Sequence, residues 1–269
     1  MSIYKKMLAE FKSKGIPVDK PDFYDHPNFI LAERNDPSYL NNYAAFVAAK
    51  KYSEDYLSNA RRVITNTANI LHHHLLANGR EGACVDMTGI FARILENEGI
   101  WCAGIKGSCT IEFPSNSGEE NTHFWSVDHG DFKAGHSWLF APPFNIVDIT
   151  LRKQDYSGNK KHYIPDMILE DSGIDSNPEI EDIISPSAIT ELQMHKVPRK
   201  NYFNAVAQEM LTIQKTYPTL ITKGKLDTKI KYCPVAIHAS EEPLEGLKNM
   251  KFDGMYALEL YQSKIKGKV

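Results

Sequence analysis

The sequence has few cysteines, no long apolar run and little net charge, and each shortage excludes a class of protein. Its four cysteines, Cys84, Cys102, Cys109 and Cys233, include no Cys-x-x-Cys pair. Such spacing predicts neither a disulfide framework nor a structural zinc site. We therefore expect a reducing compartment, and hence the cytoplasm, and we expect no metal and no other cofactor.

Membranes and nucleic acids are also unexpected partners. No apolar run approaches the roughly 20 residues needed to cross a bilayer, and the first residues lack the apolar centre of a signal peptide. The formal net charge is −3, from 31 Lys and Arg against 34 Asp and Glu. That balance argues against nonspecific binding to nucleic acid or to an anionic membrane. The hydrophobic share of 42% is that of an ordinary globular protein, whose oligomeric state the sequence leaves open.

Cys84 carries the most chemical information of any residue in the chain. It follows a glycine-containing loop, and Gly99 supplies a stop after a run of apolar residues at helical spacing: Val85, Met87, Ile90, Phe91, Ile94 and Leu95. The pattern predicts a helix with Cys84 on its first turn. A thiol there meets the positive end of the helix dipole and unpaired N–H groups, which favour the nucleophilic thiolate. A buried structural cysteine is the alternative interpretation.

Two strands downstream offer the partners that a nucleophilic thiol needs. The segment 135–143 reads as a short strand closed by a Pro-Pro turn, and 145–150 reads as the next strand. Because side chains alternate along a strand, neighbouring antiparallel strands would place His136 beside Asp148. A cysteine that attacks, a histidine that takes its proton and a carboxylate that orients the histidine form a catalytic triad. Trp138, on the His136 face, is predicted to contact substrate or to be a core residue.

His123 is the alternative base. It precedes Trp125 by two residues, which repeats the His-x-Trp spacing of His136 and Trp138. We favour His136 because a base and its orienting carboxylate must be neighbours, and the strand after His136 supplies Asp148. His123 is then predicted to contribute to substrate binding or to be a half-buried residue of the sheet.

This order of motifs resembles the transglutaminase-like superfamily, whose core is a circularly permuted papain-type fold. The resemblance covers about residues 80–150 and is carried by four pieces: Gly82-Ala83-Cys84-Val85-Asp86, Glu98-Gly99-Ile100, Gly135-His136-Ser137-Trp138 and Val147-Asp148-Ile149-Thr150. It implies an α+β fold in which a catalytic helix packs on an antiparallel sheet, with Cys84, His136 and Asp148 as the triad. It also implies reactions through an acyl-thioester, so we predict a hydrolase or acyltransferase of the protease, deamidase or transglutaminase type, with a protein or peptide substrate.

Two other functions stay open. Arylamine N-acetyltransferases share the triad and an Arg-Gly-Gly-x-Cys signature, but here Glu81 follows Arg80 where that signature has its first glycine. A non-catalytic binding protein on a degenerate transglutaminase-like fold is the second alternative. Its weakness is that all three triad residue types are intact, which a structural role does not require.

The rest of the chain predicts three regions. Residues 1–80 are expected to form a helical N-terminal region, with two helices after Tyr39 packed on the core. Residues 81–150 form the transglutaminase-like catalytic core, with the stretch 100–113 crossing the centre of the sheet. Residues 151–269 form a C-terminal α/β extension that covers the core, with an amphipathic helix at 201–220, a strand at 229–238, a short helix at 242–250 and no catalytic motif.

Overall fold

The fold is a curled antiparallel sheet with helices packed against both of its faces. The structure is a computed structural model that describes residues 2–78, 82–128 and 135–269. In chain order the first elements are α1 Ile3–Ser13, α2 Pro27–Asn35, α3 Leu40–Ala49, α4 Glu54–Asn78, α5 Cys84–Asn97, β1 Ala103–Glu112, β2 Thr122–Phe124, β3 His136–Ala141, β4 Phe144–Asp148, β5 Ile168–Glu170 and β6 Ile174–Ser176. The predicted combination of helices with an antiparallel sheet is confirmed.

The remaining elements complete the sheet and cover its faces. They are α6 Ile180–Ile183, α7 Pro186–Met194, α8 Tyr202–Val206, α9 Met210–Ile213, β7 Thr219–Lys223, β8 Lys229–His238, β9 Lys251–Phe252, β10 Met255–Tyr256 and α10 Ala257–Leu260, which a π-helical turn at Tyr261–Ile265 extends. None of the helices in the described parts of the chain combines the length and the apolarity needed to cross a membrane.

Strand β1 lies at the centre of the sheet, as its apolar sequence predicts. The strand order is β5-β4-β3-β1-β8-β7-β6, and every pairing within it is antiparallel. β2 also pairs with β1, beyond the point where β3 begins, so that Gly107 pairs with His136 while Cys109 pairs with Phe124. β8 runs along the other side of β1 from Gly104 to Glu112.

The helices divide between the two faces of the sheet. Helices α1 to α3 carry a cluster of aromatic side chains that packs with Ile105, Trp138 and Tyr232. Helices α4, α5 and α10 pack with Leu139 and Val147, which point the other way from β3 and β4. The two helices predicted after Tyr39 are therefore confirmed as α3 and α4. A further helix, α2, lies in the proline-rich stretch before them, where the sequence did not predict one.

Arg93 fixes α5 against both ends of the chain. Its guanidinium donates to both carboxylate oxygens of Asp25 at 2.7 and 2.9 Å and to Glu96 at 3.2 Å. It also donates to the main-chain oxygens of Ser240 at 2.6 Å and Glu242 at 3.0 Å. Buried charge is tolerated only where hydrogen bonds satisfy it, and here they tie α5 to the N-terminal helices and to the segment after β8. The position of the helix that begins at Cys84 is thereby held from its far end.

Of the two helices predicted in the C-terminal region, the first is divided into the short helices α8 and α9, and the second does not form. The segment 201–220 is not one helix, because Ala207 leaves the helical conformation at φ −143° and ψ 41°, and β7 has begun by Thr219, after Pro218. The segment 242–250 forms turns, one of them closed by a hydrogen bond from the Gly246 N–H to the Pro243 carbonyl at 2.9 Å. Pro218 stands just before β7 at the end of the first segment, and Pro243 and Gly246 interrupt the second more strongly than its apolar periodicity extends it.

Candidate active site

Cys84 is the first residue of α5. Gly82 turns the chain into the helix at φ +73°, a conformation that glycine adopts without steric cost. Ala83 occupies the cap position without a side-chain hydrogen bond, and its carbonyl accepts from the N–H of Met87 at 3.0 Å. The side chain of Ala83 thus leaves the first-turn N–H groups uncapped, and the sulfur lies at the end of a 14-residue helix where the partial positive charge is greatest.

The hairpin of β3 and β4 brings a histidine and a carboxylate together. His136 opens β3 and Asp148 closes β4, and Leu139 pairs with Val147 between them. This register sets Asp148 on the same face as His136 and Trp138. Nε2 of His136 lies 2.6 Å from Oδ2 of Asp148, and both side chains are fully buried.

The Asp148 carboxylate is held by five hydrogen bonds. Oδ1 accepts from the Thr150 N–H at 2.8 Å, the Thr150 hydroxyl at 2.9 Å and the Leu151 N–H at 3.1 Å. Oδ2 accepts from His136 and from the Tyr232 hydroxyl, the latter at 2.8 Å. Burial favours the neutral acid, but His136 and these donors outweigh it and lower the pKa of Asp148. The side chain is thus a fixed carboxylate.

The surroundings of His136 favour its charged form. Burial works against the imidazolium, but the charge and hydrogen bond of Asp148, with a further contribution from Cys84, raise the pKa of His136 to about 10. Nδ1 is buried and makes no hydrogen bond of standard geometry within the described residues. Because Asp148 takes the proton on Nε2, Nδ1 is the nitrogen left to exchange a proton with the neighbouring thiol of Cys84.

Aromatic rings enclose the imidazole. The ring of Phe124 lies 5.9 Å from it and that of Trp138 lies 6.3 Å from it, centroid to centroid. Tyr232 packs edge-on against Trp138 at 4.9 Å. Trp138 is therefore a buried neighbour of His136, and its predicted part in substrate binding stays a prediction.

Tyr232 is the residue of this site that the sequence did not reveal. It comes from β8, 84 residues after the carboxylate that it bonds. A tyrosine in a strand of alternating apolar residues is typical of a core position, so its local sequence carries no signal of a role beside the triad.

His123 lies on the opposite face of the sheet from His136. Its neighbour Phe124 contacts His136, and alternation along β2 turns His123 away. Its Nδ1 lies 3.3 Å from the Thr110 hydroxyl and its ring stacks on Trp125, while burial lowers its pKa. The structure therefore pairs Asp148 with His136 rather than with His123, whose predicted contribution to substrate binding stays untested.

The other three cysteines are buried and are held as neutral thiols. Burial raises the pKa of Cys102 and of Cys109 well above the ordinary thiol value, and raises that of Cys233 to about 12. All three are enclosed in the core and none forms a disulfide. In the parts of the chain that the structure describes, no group of three or more His, Cys, Asp or Glu side chains is arranged to hold a metal ion.

The described residues leave little of the triad open. Cys84 is 5% exposed, His136 1% and Asp148 3%. Residues 79–81 and 129–134 precede Cys84 and His136 in the chain and lie outside the described residues. The sequence of 130–135, with glycine at both ends, predicts a turn before His136, and most of that turn lies outside the described residues as well.

Comparisons of the chain with protein-family models, curated proteins and solved structures gave no match.

Proposed function

We propose that this protein is a cysteine-dependent amide hydrolase or acyltransferase that acts on a protein or peptide through an acyl-thioester. The observation that carries the proposal is the chain of contacts from the Asp148 carboxylate through His136 to the thiol at the start of α5. A helix that presents Cys84 and packs on an antiparallel sheet that presents His136 is also the arrangement of a papain/transglutaminase-like core, which we propose for the fold.

The proposed reaction begins with a thiolate and an imidazolium. The Cys84 thiolate attacks the carbonyl carbon of an amide, and the π electrons move onto the carbonyl oxygen. The N–H of Cys84 and the dipole of α5 stabilise that oxyanion. When the carbonyl re-forms, the C–N bond breaks and Nδ1 of His136 gives its proton to the leaving amine. Water or a second amine then attacks the thioester carbonyl and gives a proton to Nδ1 of His136. The C–S bond breaks and returns the Cys84 thiolate, which completes hydrolysis or transamidation.

Asp148 contributes orientation and charge to this sequence. Its five hydrogen bonds fix the carboxylate, so Oδ2 keeps the Nε2 proton and leaves Nδ1 facing the thiol. The imidazolium that forms when Cys84 loses its proton is stabilised by a buried negative charge at hydrogen-bond distance.

The experiment that tests the proposal is the pH dependence of Cys84 alkylation by iodoacetamide, followed by mass spectrometry of each cysteine. We expect rapid labelling of Cys84 at about pH 6, well below the range in which ordinary thiols react, and slow labelling of Cys102, Cys109 and Cys233. His136→Gln should slow the reaction of Cys84 at that pH, whereas the matched variant His123→Gln should leave it unchanged.

The opposite pattern would contradict the proposal. In that case Cys84 is labelled no faster than the three core thiols, and His136→Gln, in a variant that keeps its thermal transition, does not change the rate. The protein would then be a non-catalytic binding protein.

If Cys84 is reactive, the next step is to trap a hydroxylamine-sensitive acyl group on it from peptide amides, which would identify the acyl donor.

A further inference from the structure

A cavity of about 210 Å³ lies among strands of the curled sheet. Its walls come from β1, β3, β4, β7 and β8 and are aromatic or aliphatic: Ile105, Trp138, Phe140, Ile146, Leu220 and Tyr232. Polar side chains are few among its lining, namely Asn145, Asp175 and Thr216. An apolar enclosure with a small number of polar groups is the usual composition of a small-molecule site.

The size of this cavity suits one aromatic ring. An engineered apolar cavity of about 150 Å³ in another protein stays dry and binds benzene, and this one is larger. Its aromatic walls offer edge-to-face contacts, which aromatic rings prefer and which add to the gain from apolar burial. An aromatic ring with a small substituent therefore fits both the volume and the chemistry of the walls.

Trp138 adds a polar preference to the cavity. The indole N–H of a buried tryptophan usually finds an acceptor. That of Trp138 makes no hydrogen bond to another described residue, and it is not among the fully buried polar atoms that lack a partner, so it keeps some access to the space around it. The hydroxyl of Tyr232, in contrast, is already engaged with Asp148. An acceptor on the ligand would therefore find one free donor at the wall.

We propose that this cavity is a binding site for a small aromatic group that carries a carbonyl acceptor. The ring packs in the cavity against Trp138 and Tyr232, which contact each other at one wall, and the carbonyl accepts from the indole N–H. Both residues also touch the triad, Trp138 against the His136 ring and Tyr232 through Asp148, so the ligand lies next to the site where the proposed chemistry occurs.

The test uses benzamide as the probe and the protein labelled with 5-fluorotryptophan. The chain has three tryptophans, so the fluorine spectrum has three resonances, which single Trp→Phe variants assign. We expect benzamide to shift the Trp138 resonance in a saturable way, with a dissociation constant on the order of 1 mM or tighter. Toluene, which lacks the carbonyl, should bind the same site more weakly.

Leu220→Phe and Ile221→Phe are the matched variants. Leu220 lines the cavity and is buried, whereas Ile221 is the next residue of β7 and is absent from the lining. Filling the cavity with Leu220→Phe should weaken benzamide binding at least tenfold, while Ile221→Phe should leave it unchanged. Thermal denaturation of both variants checks that they fold.

Two results would overturn the proposal. One is an unmoved Trp138 resonance up to the solubility of benzamide, and the other is undiminished binding in a folded Leu220→Phe variant. The outcome is independent of Cys84 alkylation. If Cys84 is reactive and benzamide leaves the Trp138 resonance unmoved, only this binding site is refuted. If the Trp138 resonance shifts and Cys84 is inert, only the proposed function is refuted.

Discussion

The charge of Asp148 should make the free energy of unfolding fall as the pH rises above neutral, and the substitution Asp148→Asn should remove that dependence. Asp148→Asn keeps the shape of the side chain but removes the charge that holds the His136 imidazolium. Burial then acts without opposition, and it lowers the pKa of a histidine. The comparison is best made in a Cys84→Ala background, so that the proton of the thiol does not enter the balance.

The sign and size of the effect follow from linkage. Since the folded pKa of His136, about 10, lies above its ordinary value of 6.5, its contribution to stability is complete below 6.5 and is lost as the pH rises toward 10. The lowered pKa of Asp148 acts below 3.8, outside this range. At about 1.4 kcal/mol per pH unit for one proton, a protein with charged Asp148 should lose about 2 kcal/mol between pH 7 and 8.5. The Asp148→Asn variant should lose about 2 kcal/mol less.

Urea unfolding at pH 7 and at pH 8.5 measures this difference. Burial also raises the pKa of Glu96, to about 8. The ionisation of Glu96 therefore lowers the free energy of unfolding as the pH rises, but it does so equally in both proteins and cancels in the comparison. Asp171→Asn is the matched control, because Asp171 is a surface carboxylate paired with Arg61. Equal pH slopes with and without the Asp148 charge would refute the assignment of a buried imidazolium.

Three further substitutions should change the free energy of unfolding, each measured by urea titration at pH 7. Tyr232→Phe removes a hydrogen bond to a carboxylate and should cost about 1.5–3 kcal/mol; a cost below about 0.5 kcal/mol would contradict the contact with Asp148. Arg93→Met leaves the Ser240 and Glu242 carbonyls without their donor and should cost about 1–3 kcal/mol, and an unchanged free energy of unfolding would refute its role in holding α5. Gly107→Ala places a Cβ 2.1 Å from the Cys233 carbonyl oxygen and should cost at least about 1–3 kcal/mol, whereas unchanged stability would show that the strands separate freely there.

The parts of the site that the sequence predicts are those set by local pattern. The start of α5 follows from the apolar spacing after Cys84 and from Gly99, which ends the helix at φ +74°. The hairpin of β3 and β4 follows from alternation on either side of a Pro-Pro turn. Both patterns act within about ten residues, so tertiary structure does not need to be known to read them.

The parts that could not be predicted depend on distant contacts. The segment 201–220 has helical periodicity, but Tyr217 donates to the Ala44 carbonyl at 2.6 Å and the chain after it joins the sheet. The segment after β8 is drawn out by Arg93, which takes the carbonyls of Ser240 and Glu242. Tertiary contacts outweigh a weak helical propensity in such cases. Neither segment's own sequence indicates the distant residue that it contacts, Ala44 for the first and Arg93 for the second.

The position of β8 has a consequence for the protein while it is being made. β8 is the neighbour of β1 over most of its length, and it carries the hydroxyl that completes the Asp148 carboxylate. A nascent chain on the ribosome therefore exposes Cys84, His136 and Asp148 well before the strand that organises them has been synthesised. Pairing across so long a separation is slow to form. We expect the thiol to acquire its reactivity late, so that the growing polypeptide does not act on its surroundings or on itself until β8 has left the ribosome and paired with β1.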